Sequence, residues 1–173
     1  MIYSGQEVGE PALGNQGFSG DDGRTSIFDY CGLPEHQKWL NNGAFDSTNL
    51  SESQNNLRGF YQKLLVSVRD NEALSVGLFY ELMMANEHQP GFDQLLYIYL
   101  RYTAEQRVLV IANFNRTERA LAIKLPDDLL SKLNLNGKTE LTDLLSGTKF
   151  NTDDIRNGVD VKIPASGGLL LAF

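Results

Sequence analysis

The chain has 173 residues, 42% apolar and 21% charged, a balance typical of an ordinary folded domain and a length that buries a core without disulfide or metal staples. Its formal net charge of −7, with no run of Lys and Arg, argues against a nucleic-acid or anionic-membrane surface. No stretch approaches the roughly 20 apolar residues of a membrane-spanning helix, and the single cysteine, Cys31, has no partner for an internal disulfide.

In chain order, Ile2-Tyr3 reads as a strand that runs into a glycine turn, with Gly5, Glu7 and Gly9 at its end. A single strand leaves both edges unpaired, so it needs a neighbour. Residues 10–50 are rich in Gly, Asn, Asp and Ser, with scattered aromatics such as Phe28 and Trp39, and read as one long ordered loop packed on something. Ser51-Glu52-Ser53-Gln54 fits a capping box. The apolar residues Leu57, Phe60, Tyr61, Leu64, Leu65 and Val68 then fall on one stripe of an amphipathic helix ending near Arg69. That stripe calls for a partner, and the inner face of the following sheet domain is the expected cover for Leu57, Phe60, Leu64 and Val68.

From about Val76 the period turns strand-like, which places a boundary between residues 1–74 and 75–173. Seven strands are expected: Val76 to Met84, Leu95 to Tyr102, Val108 to Phe114, Ala120 to Leu125, Glu140 to Leu145, Val159 to Ile163 and Leu169 to Phe173. Turn-forming stretches such as Gln89-Pro90-Gly91 and Ser166-Gly167-Gly168 separate them. Val159, Val161 and Ile163 alternate with Asp160 and Lys162, so one face of that strand is solvated. Short strands without intervening long helices indicate an antiparallel sandwich or barrel.

Chemistry-bearing residues are sparse. Asp21-Asp22-Gly23 with Asp29 lacks the spacing of a calcium loop and reads as a solvated turn. His36 and His88 each lack a second ligand at metal spacing, so no metal site and no cofactor is expected. Nothing assembles a nucleophile, a base and an oxyanion donor. Tyr97 and Tyr99, with Trp39, are the candidates for a sugar-stacking platform, although aromatics at strand spacing are more often core.

The order of these features resembles the C-terminal portion of alpha-amylase family enzymes (glycoside hydrolase family 13). Ile2-Tyr3-Ser4-Gly5-Gln6-Glu7-Val8-Gly9 is similar to the family's last barrel strand, I-Y-Y-G-x-E-x-G, with Ser4 in place of the second tyrosine. Arg24, Phe28 and Trp39 loosely match the loop that follows it. Phe60, Tyr61, Leu64 and, one residue late, Arg69 match the helix motif F-Y-x-x-L-x-x-x-R. Leu95 to Arg101, Val108 to Asn115 and Gly167 to Leu171 resemble the C-terminal β domain.

The resemblance implies a mainly β chain: a Greek-key antiparallel β-sandwich with one amphipathic helix and, at its N-terminal end, the remnant of a (β/α)8 barrel. Residues 1–74 would be the end of that barrel and 75–173 the sandwich. It also implies a fragment, because the family's catalytic carboxylates belong to barrel strands four, five and seven, all before residue 1. This chain alone is then expected to be inactive, with no catalytic residue to name. Gly5, Glu7, Gly9 and Arg24 would be substrate-rim or structural residues, and α-glucan or maltooligosaccharide the partner through the parent enzyme. The alternative is a non-catalytic glucan-binding or oligomerisation module, in which the Ile2-Tyr3 strand pairs with a second copy.

Overall fold

The computed structural model describes residues 2–11 and 33–173, which divide into two compact units, one ending at Leu64 and one beginning at Leu65. Arg24 lies outside the described residues, as do Asp21, Asp22, Gly23, Phe28, Asp29 and Cys31.

The first unit differs from the sequence expectation at its start. Ile2 and Tyr3 carry no strand; Gln6–Val8 form a 3-10 turn flanked by Gly5 (φ 85°) and Gly9 (φ 71°). Two glycines in the left-handed region bend the backbone too sharply for an extended ladder. Helix α1, Pro34–Leu40, then occupies part of what reads as loop. Pro34 begins it, and its first amides are satisfied from afar: Glu10 Oε2 accepts from Glu35 N at 2.8 Å and from His36 N at 2.9 Å. Asn41, with φ 39°, ends the helix.

Helix α2, Glu52–Asp70, starts where the capping box places it. Ser51 N donates to Gln54 Oε1 at 3.0 Å and Gln54 N to Ser51 Oγ at 3.3 Å. No residue of α2 is buried, and Phe60 and Val68 are 44% and 37% exposed.

The second unit holds two short helices, α3 (Glu72–Ser75) and α4 (Met83–Asn86), and a third, α5 (Asp127–Lys132). Its strands are β1 (Leu78–Glu81), β2 (Leu96–Tyr102), β3 (Arg107–Asn113), β4 (Arg119–Ile123), β5 (Thr139–Asp143), β6 (Lys149–Thr152), β7 (Val159–Ile163) and β8 (Gly167–Ala172). All seven expected strands are present, and β6 is added. One six-stranded sheet runs β1-β2-β3-β8-β5-β6 and a two-stranded one pairs β4 with β7, every pairing antiparallel.

Between the sheets lies a core of Leu96, Ile98, Leu100, Leu109, Ile111 and Leu171 from the large sheet and Leu121, Ile123, Val159, Val161 and Ile163 from the small one. Asp160 and Lys162 are exposed, as their alternation requires. Two buried polar side chains tie the edges of this core. Asn86 donates to Leu82 O and Lys124 O and accepts from Lys124 N at 2.7 Å, joining α4 to the end of β4. Asp143, 2% exposed, accepts from Leu170 N at 2.9 Å, Ser146 N at 3.0 Å and Ser146 Oγ at 2.5 Å, joining the β5–β6 turn to β8.

The large sheet is apolar on its other face too. Register puts Tyr99 opposite Val110 and Val110 opposite Leu170, one pleat away from the core residues. Val108, Val110 and Leu170 are buried there, although none belongs to the core cluster. A sheet with two apolar faces is a sheet built to be covered on both.

Candidate functional site

Two groups of side chains stand out, one in each unit. In the second unit the site is an aromatic strip on the non-core face of the large sheet. Alternation along β2 sends Leu96, Ile98 and Leu100 into the core and leaves Tyr97 and Tyr99 on the opposite side. Tyr97 and Tyr99 rings lie 5.3 Å apart, and Phe79 of the neighbouring strand β1 lies 5.3 Å from Tyr99. Phe79 is 49% and Tyr97 41% exposed, with Tyr99 half-buried between them. Burial, and then the neighbouring Tyr97, push the Tyr99 hydroxyl above its ordinary value, so it stays a neutral donor and acceptor at working pH. Such a strip presents tilted apolar ring faces with hydroxyls alongside, the chemistry that grips the C–H face of a sugar ring.

In the first unit, Trp39 on α1 meets Arg58 on α2, with the guanidinium carbon 3.4 Å from the ring centroid. The pair forms one wall of a pocket of about 370 Å³ that also includes Asp46, Asn55 and Gln62. The Thr48 amide, and then Asn41, hold the Asp46 carboxyl below its ordinary range, so it remains an ionised acceptor.

The glycines and carboxylate expected at a substrate rim sit in the turn of residues 5–10. A Cβ on Gly5 would fall 2.7 Å from Glu10 Cβ, so glycine lets Glu10 pack close enough to reach α1. Glu7 Oε1 lies 3.8 Å from His36 Nε2, and Gly9 carries the positive φ that closes the turn. Among the described residues no three His, Cys, Asp or Glu side chains cluster as metal ligands.

Phe79 and Arg58 join these groups without having been singled out in the sequence. Phe79 becomes visible only once β1 is registered against β2, which pairs Glu81 with Tyr99. Arg58 lies 19 positions beyond Trp39 in sequence, and nothing in a linear pattern links the two.

Comparison with known proteins bears on the family. Residues 92–171 match the family described as the cyclo-malto-dextrinase C-terminal domain. That stretch covers a little under half of the chain and is similar to the C-terminal domain of alpha-amylase-family enzymes. Solved structures share its fold. AmyP, crystallised with maltose, superposes with a TM-score of 0.53 at 19% identity over 71% of this chain and 22% of its own. The alpha-amylase from Geobacillus thermoleovorans, crystallised with acarbose, gives 0.52 at 11% identity over 74% of this chain and 24% of its own. An Anoxybacillus alpha-amylase gives 0.52 at 14% identity over 84% of this chain and 26% of its own. At such identities the likeness is one of fold, and the chain spans about a quarter of the length of these enzymes. A comparison with curated protein sequences gives no match. The mainly antiparallel β architecture of the second unit agrees with the sequence reading.

Proposed function

We propose that the chain works as the C-terminal part of an α-glucan-acting hydrolase or transglycosylase, with residues 1–74 continuing a catalytic barrel and 75–173 forming the β domain that shields it. The observation that carries this reading is the family match over residues 92–171. The second apolar face of the large sheet supports it, because Phe79 and Tyr97 stay exposed there, the kind of surface that a shielding domain turns toward its partner. A retaining glycosidase needs an acid/base carboxyl and a nucleophile about 5–5.5 Å apart, set by the ends of different barrel strands. In this reading those carboxylates belong to strands outside residues 1–173, and Gly5, Glu7, Gly9 and Arg24 serve the rim or its support.

The test is reducing-sugar release from starch and maltooligosaccharides by the purified 173-residue chain. No release is expected, and robust hydrolysis would overturn the assignment of the carboxylates elsewhere. A second reading, an α-glucan-binding module, is favoured by one observation: Phe79 and Tyr97 are 49% and 41% exposed on one sheet face. Calorimetric titration with maltotriose tests it, with Tyr97→Ala expected to remove the share of the heat that comes from this face.

A further inference from the structure

The pocket beside Trp39 carries its own argument about a ligand. It is built from Trp39, Asp46, Ser47, Asn55, Arg58 and Gln62, and its volume of about 370 Å³ falls within the span of small-molecule sites, about 300–1,000 Å³. Its polar groups are one cation, one carboxylate, two side-chain amides and a hydroxyl. An anionic ligand would meet Asp46 as a repulsive neighbour, and a cationic one would meet Arg58. A neutral polyol suits the set, because each of its hydroxyls both donates and accepts.

The groups are also held in place. The Arg58 guanidinium carbon lies 3.4 Å from the Trp39 ring centroid, and its Nε is buried without a hydrogen-bond partner. Asp46 Oδ1 accepts from Asn41 Nδ2 at 2.9 Å and from Thr48 N at 3.1 Å. Side chains positioned before the ligand arrives lose less entropy on binding it.

We propose that this pocket binds one pyranose unit of an α-glucan, with Arg58 and Asp46 taking its hydroxyls and Trp39 forming the apolar wall. The sugar class rests on the pocket itself, and the choice of an α-glucan rests on the function proposed above.

Trp39 is the chain's single tryptophan, so tryptophan emission reads this pocket alone. The full chain is titrated with maltotriose and, separately, with cellotriose. Maltotriose is expected to change the emission saturably, with Arg58→Ala shifting the midpoint at least about tenfold and Gln62→Ala about threefold. Lys162→Ala, on the solvated face of β7, is expected to leave it in place. Gln62 is exposed, so its variant keeps the test alive should Arg58→Ala fail to fold. Emission unmoved by either sugar, or a midpoint that ignores both pocket variants, overturns the site. Silent emission with calorimetric maltotriose binding that Tyr97→Ala removes overturns the pocket and leaves the α-glucan reading standing. A response to cellotriose but not maltotriose keeps the sugar site and overturns the α-glucan assignment.

Discussion

Removing the Asp143 carboxylate should unfasten β8 from the β5–β6 turn. Asp143→Ala leaves the buried Leu170 amide without its acceptor and strips Ser146 of its two bonds, N at 3.0 Å and Oγ at 2.5 Å. An orphaned buried donor costs about 1–3 kcal/mol, and the lost bonds to a charged acceptor about 1.5–3 kcal/mol more, because Ser146 is exposed and recovers water. The sum is roughly 2.5–6 kcal/mol. With a urea m-value of about 1–3 kcal/mol/M, the unfolding midpoint falls by at least about 0.8 M. Near-UV tyrosine circular dichroism is weighted toward this unit, because Tyr80, Tyr97, Tyr99 and Tyr102, four of the chain's seven tyrosines, lie in it. Asp143→Asn keeps the shape and one acceptor, so it should fall between the two. A midpoint for Asp143→Ala within about 0.3 M of the parent chain would refute the reasoning that this carboxylate holds the turn to the sheet.

Gly91→Ala places a Cβ 2.1 Å from the Ala120 carbonyl oxygen at a φ of 87°, so it should cost several kcal/mol and cut the soluble yield sharply; unchanged thermal melting would contradict it. Asn86→Ala removes three bonds, two of them across the α4–β4 junction, and should destabilise by about 2–4 kcal/mol in the same urea assay. Asp154 titrates down at about 2 from an ordinary 3.8, chiefly through the Arg156 side chain and then its amide. A carboxyl with a depressed folded-state pKa adds stability that is present above 3.8 and lost as pH falls through about 2. The gap between the parent chain and Asp154→Asn should therefore close over that window, and a gap independent of pH would count against the ion pair. Ser51→Ala should cost about 0.5–2 kcal/mol in α2, read as lost helical circular dichroism on mild heating.

Strand alternation was the most legible signal in this sequence. Seven strands follow from runs such as Val159-Asp160-Val161-Lys162-Ile163 bounded by turn residues, and the capping box located the start of α2. β6 escaped because Lys149-Phe150-Asn151-Thr152 offers a single apolar residue to a period of two. Helix α5 escaped because Asp127–Lys132 is under two turns long, too short for a stripe to show. The Ile2-Tyr3 strand failed for the opposite reason: two apolar residues suggest extension, but the positive φ of Gly5 and Gly9 winds the next residues into a turn. Tyr97 and Tyr99 could be placed on one face from their spacing alone. Their partner Phe79, and the meeting of Trp39 with Arg58, depend on contacts between separate elements that no local pattern records.

The place of β8 in the large sheet sets an order on biogenesis. It is translated after the other described strands, yet it sits between β3 and β5, so β1-β2-β3 and β5-β6 pair only through it. Until residues 167–172 emerge from the ribosome, the nascent domain is two separate ribbons with open edges at β3 and β5, each a template for wrong pairing. A stop codon a few positions before Gly167 would therefore do more harm than its small deletion suggests, leaving chains whose exposed backbone invites aggregation and disposal by the cell's quality-control proteases.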